Sequence, residues 1–254
     1  MSGGHAHGLY VHGHGRLHAM SPQCKLAAAF SFVVAVVSTP REALWAYAAY
    51  AVVVLALARS AGLPLPVLAR RLFFEAPFVV AALLQPIVGE GPRTEVLGVS
   101  LSVEGLWAAW NIFAKATLSL VTAQVLAATT PAADLLHGLE HLRMPRHITA
   151  IAGFMIRYAD IITGELQRMR VAREARAYDP RWLWQGHALA ASAGTLFIRS
   201  YERGERVYQA MASRGYSGAM PILSQHSPSR SEWVQASTLP ALAAVVSACA
   251  WMLS

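Results

Sequence analysis

The chain has 254 residues, of which 55% are hydrophobic and 14% are charged, whereas an average soluble domain is about 25% charged. Because so little charge cannot cover a soluble surface of this size, the composition predicts an all-α fold of the polytopic helical membrane class. Disordered, collagen-like and disulfide-scaffold classes are excluded by the same composition, which includes only two cysteines.

Residues 1–25 form a polar leader rich in glycine and histidine, which we expect to be cytoplasmic. It has no apolar core of a cleavable signal peptide, so we expect insertion through internal spans. Imidazole groups bind Co²⁺, Ni²⁺ and Cu²⁺. The candidate metal ligands are His5, His7, His12 and His14. A polar tail that binds no metal is the alternative, because no carboxylate or cysteine completes a coordination shell.

Five apolar segments follow, and we predict that each crosses the membrane. The predicted spans are residues 26–38, 43–58, 72–89, 105–127 and 238–253. The first four make a bundle over residues 26–127, and the last is a closing span within residues 238–254. Residues 128–237 between them are rich in arginine and in helical pattern. We therefore predict a cytoplasmic module of long helices there.

Segment 182–198 is ambiguous, because it is apolar but contains Gln185 and His187 and leads directly into charged residues. Apolar residues recur at three- and four-residue steps across 189–211, which is typical of an amphipathic helix. We predict a long helix at the membrane surface, and a segment that enters the bilayer is the alternative.

The positive-inside rule predicts the orientation. With a cytoplasmic N-terminus, all of the 21 lysines and arginines lie inside except Arg41, Arg93 and Lys115. We therefore predict a multi-pass protein of the cell membrane (inner or plasma membrane) with its C-terminus outside. Lys115 lies within the fourth span, and we interpret it as snorkelling or bonded to carbonyl groups.

Two arginines flanked by small residues stand at the predicted ends of cytoplasmic helices. They lie in Ala175-Arg176-Ala177 and Ser213-Arg214-Gly215. Small neighbours leave a guanidinium uncovered, so that its planar fork can bind a carboxylate or carbonyls of a partner. One such arginine would merely complement the helix dipole, but two similar ends favour docking to a partner.

These motifs resemble those of the transmembrane T component of energy-coupling factor (ECF) transporters, the CbiQ/EcfT family, and most closely its cobalt-transport type. That family carries two Ala-Arg-Gly motifs at the ends of cytoplasmic coupling helices. Ala177 stands in place of glycine in the first motif, and Ser213 in place of alanine in the second. Leu17-His18-x-x-x-Pro22-x-x-Lys25-Leu26, Leu142-Arg143-Met144-Pro145 and Glu165 with its basic surroundings are also similar to the family.

The resemblance implies a non-catalytic subunit in which both arginines dock into two cytoplasmic ABC-type ATPases. The coupling helices would transmit ATP-driven motion to a substrate-capture (S) membrane subunit, and a small accessory membrane subunit is a further candidate partner. It implies no cofactor on this chain, with ATP on the partner subunits. The position of the basic residues along a membrane chain argues against a nucleic-acid partner. Cobalt is the favoured cargo, ahead of nickel or a vitamin.

Three other functions remain open at this stage. A self-contained metal permease would use Lys115, Asn111 and Gln124 along its pathway. A membrane enzyme would use His137, His141 and His147. His137 and His141 stand four residues apart, a spacing possible for metal ligands, but no third ligand is obvious. No G-x-x-x-x-G-K-[ST], H-E-x-x-H or G-x-S-x-G motif is present. A signalling protein would use its basic residues as a patch that binds anionic lipid or a receptor.

Overall fold

The computed structural model describes residues 15–64, 68, 75–89, 92–96, 99–178, 186–218 and 228–253. The regular structure of these residues is helical apart from one short hairpin. The helices are α1 (Arg16–Ala19), α2 (Pro22–Ser38), α3 (Leu44–Ser60), α4 (Ala76–Val88), α5 (Val103–Thr129), α6 (Ala132–His141), α7 (Arg146–Glu174), α8 (His187–Ala212) and α9 (Arg230–Leu253).

The five predicted spans coincide, in their described parts, with the apolar helices α2, α3, α4, α5 and α9. By length and composition, α5 with 27 residues and α9 with 24 residues can cross a membrane. The helices α2 and α3 have 17 residues each and α4 has 13, which is less than the roughly 20 residues that a span needs. A membrane protein is thus supported, while the count of five spans is not confirmed.

The prediction of an all-α fold is confirmed except for a hairpin that the sequence analysis did not foresee. Strand β1 (Arg93–Val96) pairs antiparallel with β2 (Val99–Ser102), and Arg93 lies opposite Ser102. Thr94 and the valines of both strands are β-branched, which favours extended backbone. Ser102 then begins α5, because its hydroxyl accepts a hydrogen bond from the amide of Gly105 at 3.2 Å.

The chain divides into two compact units. Among the described residues, the bundle unit comprises residues 15–138 and 228–253, and the arginine-rich unit comprises residues 139–218. The first contains the apolar helices and the second contains α7 and α8. The predicted topological boundaries at residues 128 and 237 stay a prediction.

The core of the bundle unit is built around Tyr50 and Phe32, which are both almost fully buried. Their rings pack edge to face with centroids 5.8 Å apart, an arrangement that aromatic pairs prefer. The hydroxyl of Tyr50 donates to the carbonyl of Ala243 at 3.0 Å and so ties α3 to α9. The helices α4 and α5 approach so closely that a Cβ at Gly105 would collide with the carbonyl oxygen of Gln85.

The prediction of a long amphipathic helix is confirmed by α8, which runs without a break for 26 residues. Its apolar stripe is exposed within this structure, since Phe197 and Tyr201 are 72% and 68% accessible. Residues 182–185 of the ambiguous segment lie outside the described residues. The location of α8 at a membrane surface stays a prediction.

Candidate docking site

The helix α7 ends at the first arginine motif with a Schellman cap. The amide of Tyr178 donates to the carbonyl of Arg173 at 3.2 Å, and the amide of Ala177 donates to the carbonyl of Glu174 at 3.0 Å. These 6→1 and 5→2 hydrogen bonds, together with a residue in the left-handed conformation, define the Schellman motif that terminates a helix. Ala177 is that residue, with a φ of 55°. Arg176 therefore occupies the last position before the chain turns away.

The helix α8 ends in the same way at the second motif. The amide of Tyr216 donates to the carbonyl of Met211 at 3.0 Å, and the amide of Gly215 donates to the carbonyl of Ala212 at 3.0 Å. Gly215 has a φ of 83°. Arg214 thus holds the position in α8 that Arg176 holds in α7.

Both arginines are available to a partner. The side chains of Arg176 and Arg214 are exposed, and neither forms a salt bridge with any residue that the structure describes. Each is followed by a small residue and then by a half-buried tyrosine, Tyr178 or Tyr216. Within the described residues, the two ends therefore present an unpaired guanidinium on the same backbone geometry.

The two departures from the family motifs have unequal consequences. Ala177 adopts the left-handed conformation, which costs a residue with a Cβ about 1–2 kcal/mol, yet its cap contains the same two hydrogen bonds as the cap at Gly215. Ser213 lies inside the cap, and its hydroxyl donates to the carbonyl of Ala210 at 3.0 Å. Neither departure removes the cap that positions the arginine.

The helices α7 and α8 run antiparallel, so the two arginines lie at opposite ends of the pair. Arg173 near the end of α7 donates to the hydroxyl of Ser192 near the start of α8 at 3.3 Å. Further along, Glu165 of α7 accepts from Arg199 of α8 at 2.5 Å. Since α8 rises about 1.5 Å per residue, its end at Arg214 lies roughly 33 Å from Ser192.

Glu165 is the carboxylate that joins the two helices. Its Oε2 accepts from Nη2 of Arg168 at 2.6 Å, while its Oε1 accepts from Arg199. The hydrogen bonds from Arg168 and Arg199 lower the pKa of Glu165 below the ordinary carboxyl value. The sequence analysis noted the basic surroundings of Glu165 only as part of the resemblance, and the structure shows that they bridge α7 and α8.

Lys115 binds a helix end in the bundle unit. Its ammonium donates to the carbonyl of Val37 at 2.7 Å, in the last turn of α2. The indole of Trp251 donates to the carbonyl of the next residue, Ser38, at 2.8 Å. Carbonyls at the end of a helix lack intrahelical partners. Lys115 and Trp251 supply hydrogen-bond donors to two of these carbonyls. The interpretation of Lys115 as bonded to a carbonyl group is confirmed.

Asn111 and Gln124 are the other two residues of the permease alternative. Oδ1 of Asn111 accepts from the hydroxyl of Tyr47 at 3.3 Å. Gln124 is buried, and its Oε1 has no hydrogen-bond partner among the residues described. Lys115 and Asn111 therefore form contacts between helices in the described part of the bundle unit.

Lys25 is a structural residue that the sequence analysis used only as part of a motif and as a positive charge. Its ammonium is buried at the start of α2 and donates to the carbonyl of Thr129 at 3.1 Å. It also donates to the hydroxyl of Thr130 and to the carbonyl of His18, each at 3.3 Å. All three donors of the ammonium are satisfied, and the end of α5 is fixed against α2.

The histidine sites receive no support as metal centres. His5, His7, His12 and His14 lie outside the described residues. Among the residues described, which include His137, His141 and His147, no group of three or more His, Cys, Asp or Glu side chains could hold a metal ion.

Comparison with known proteins shows the relationships of the chain. A family model described as "Cobalt transport protein", CbiQ, matches residues 14–224. The chain is 32% identical to the cobalt transport protein CbiQ of Rhodobacter capsulatus over 59% of this chain and 62% of that protein. It is 26% identical to the energy-coupling factor transporter transmembrane protein EcfT of Bacillus selenitireducens over 83% of each.

A third relative is the nickel permease LarQ of Lactiplantibacillus plantarum, which is 32% identical over 41% of this chain and 38% of that protein. The chain therefore spans less than two thirds of the length of the Rhodobacter and Lactiplantibacillus relatives.

Proposed function

The chain belongs to the CbiQ cobalt transport protein family, and from this membership we propose that it is the energy-coupling T component of an ABC-type importer. In this proposal it converts ATP-driven motion of two partner ATPases into movement of a substrate-capture membrane subunit. The observation that carries the proposal is the pair of matched helix ends at Arg176 and Arg214.

The two ends suit docking because each combines an uncovered guanidinium with a fixed backbone. A bidentate hydrogen bond needs the fork of the arginine in one orientation, and a Schellman cap fixes the backbone on which the fork is carried. Because Arg176 and Arg214 lie at opposite ends of the antiparallel pair, they suit two separate binding grooves better than one. We therefore assign one arginine to each of two cytoplasmic ATPases, which would hold the ATP.

The helices can transmit motion because they are long and are joined at Glu165, about two thirds of the way along α7. An α-helix of 29 residues such as α7 is about 44 Å long. A movement of one ATPase at Arg176 is carried along α7 to Glu165, where the ion pair with Arg199 couples it to α8. Displacement of Arg214 by the second ATPase reaches the same junction from the other end. Relative motion of the two helices would then act on the capture subunit.

For the membrane arrangement we propose five spans, an N-terminus in the cytoplasm and residence in the cell membrane. A helix of 17 residues is about 26 Å long, whereas a hydrocarbon core is about 30 Å thick. The short helices α2 and α3 therefore require local thinning of the bilayer or apolar residues beyond their ends.

The cargo in our proposal is Co²⁺, with Ni²⁺ or a vitamin as alternatives. The description of the matching family and the name of the Rhodobacter relative favour cobalt, while the Lactiplantibacillus relative is named as a nickel permease. The capture subunit would select the cargo, so the T component alone does not determine it. A small accessory membrane subunit is a further partner in this proposal.

Affinity purification in mild detergent from native membranes tests the proposal. The wild-type chain should retain ABC-type ATPases and a capture subunit, and Arg176→Glu with Arg214→Glu should lose the ATPases. Arg157→Glu with Arg206→Glu is the matched control, because both side chains are exposed and unpaired in the described structure. If both double variants retain the ATPases equally, docking through these helix ends is wrong.

A further inference from the structure

An open groove of about 540 Å³ lies between the helices α7 and α8 of the arginine-rich unit. The volume lies within the range of roughly 300–1,000 Å³ that is typical of small-ligand pockets. Its walls are mainly apolar and aromatic, with Phe154, Met155, Tyr158 and Ile162 from α7 facing Val207 and Met211 from α8. Because water hydrates such a surface poorly, an apolar ligand is favoured there.

One cation lies in this apolar surrounding. Arg203 lines the groove and is half-buried, and it forms no salt bridge with any carboxylate in the described part of the chain. Arg199, one turn earlier on α8, is by contrast paired with Glu165. A partly desolvated guanidinium without a counter-ion favours a ligand that brings a negative charge.

We propose that this groove binds an anionic phospholipid, with an acyl chain along the apolar walls and the phosphate at Arg203. Such a lipid combines two chemistries that suit the groove, because its acyl chain is apolar and its phosphate is an anion that a guanidinium binds. The proposal goes beyond the coupling function and does not depend on Arg176, Arg214 or the ATPases.

Native mass spectrometry of the purified full chain tests the proposal, with phosphatidylglycerol and phosphatidylcholine of the same acyl chains as probes. Phosphatidylglycerol should be retained in preference. Arg203→Gln should lower its affinity about fivefold, the effect of one arginine near an anionic head group. The matched control is Arg206→Gln, which removes the same charge from an exposed position outside the groove. This control should bind like the wild type.

A second pair of variants fills the groove without touching its charge. Gly204 lines the groove and Gly194 lies elsewhere on α8, and a Cβ added at either one meets no atom within 4 Å. Gly204→Leu should therefore lower retention of phosphatidylglycerol by an amount similar to Arg203→Gln, whereas Gly194→Leu should not. Since leucine favours a helix over glycine, neither substitution threatens folding.

Four outcomes would overturn the proposal. Equal retention of the two lipids would remove the role of the head-group charge, and equal loss in Arg203→Gln and Arg206→Gln would indicate general attraction to a basic surface. Displacement of the lipid by millimolar inorganic phosphate would indicate a simple anion site. Loss of the capture subunit in Gly204→Leu, with lipid retention unchanged, would indicate that a protein fills the groove.

Discussion

Ala177 and Gly215 hold the same position in two helix caps, each with a positive φ, of 55° and 83° respectively. The alanine carries a Cβ in a conformation that costs such a residue about 1–2 kcal/mol, whereas glycine adopts it without this cost. The two caps therefore have the same hydrogen bonds but different local stabilities.

The first prediction follows from this difference. Ala177→Gly should slow hydrogen exchange of the Tyr178 amide, and Gly215→Ala should accelerate exchange of the Tyr216 amide. Each change is expected to be about fivefold, which corresponds to roughly 1 kcal/mol. Exchange measured by mass spectrometry on the corresponding peptides checks both. Faster exchange in both variants would show that Ala177 is not strained.

A second prediction separates docking from a general basic surface. Arg176→Lys and Arg214→Lys keep the charge but remove the planar fork, so each should lower the yield of co-purified ATPase about tenfold, because a charged hydrogen bond is worth about 1.5–3 kcal/mol. Arg157→Lys and Arg206→Lys should have no effect. A basic surface that binds through charge alone would tolerate all four substitutions.

A third prediction concerns the pH dependence of the junction between α7 and α8. Hydrogen bonds from Arg168 and Arg199 lower the pKa of Glu165, so its folded pKa lies below the unfolded value of about 4.3. The stabilisation is therefore fully present above that pH, and it is lost as the pH falls through the lower folded value.

Spin labels at Arg157→Cys and Arg206→Cys, with Cys24 and Cys249 replaced by serine, measure this loss as a distance distribution. The distribution should broaden on acidification below about pH 4. The distance distribution of Glu165→Gln should be broad at every pH. Glu205→Gln is the control, because the carboxylate of Glu205 accepts from Gln209 on the same helix. Its distribution should change with pH as that of the wild type does. A pH response that survives in Glu165→Gln would assign the effect to other groups.

The fourth prediction tests the role of Lys115 as a structural donor. Lys115→Met leaves the carbonyl of Val37 without its charged partner and should destabilise the chain by about 1.5–3 kcal/mol. Trp251→Phe removes the donor to Ser38 and should cost about 1 kcal/mol. Thermal unfolding in detergent measures both. Under the proposed function, Co²⁺ uptake per folded molecule of the assembled transporter should stay unchanged, and a loss of uptake in folded Lys115→Met would support the permease alternative.

The sequence predicted the existence of the long elements better than their ends and contacts. Long, mainly apolar runs predict the helices α2, α3, α5 and α9 because burial or lipid favours them regardless of tertiary detail. The helix α9 nevertheless begins at Arg230, eight residues before the predicted span at residue 238. The start of α9 is polar, and there the backbone amide of Glu232 donates a hydrogen bond to the carbonyl of Ser229 at 3.1 Å.

The arginines of the candidate site were identifiable because the resemblance depends on local motifs, and a helix cap is also a local structure. The roles of Lys25 and Lys115 were harder to predict, because each depends on carbonyls distant in sequence. Lys25 binds Thr129 across 104 positions, and Lys115 binds Val37 across 78 positions. Only the packed bundle brings such groups together.

The ties between α2 and α9 have a consequence for the order of biosynthesis. Trp251 donates to Ser38 across 213 positions, and Ser21 at the start of α2 donates to Glu232. A ribosome completes α2 long before it has made α9, so these groups of the first apolar helix stay without their partners during most of translation. The final packing of the bundle can therefore begin only after α9 has been made. A product that stops before residue 230 would leave α2 exposed to proteolytic quality control.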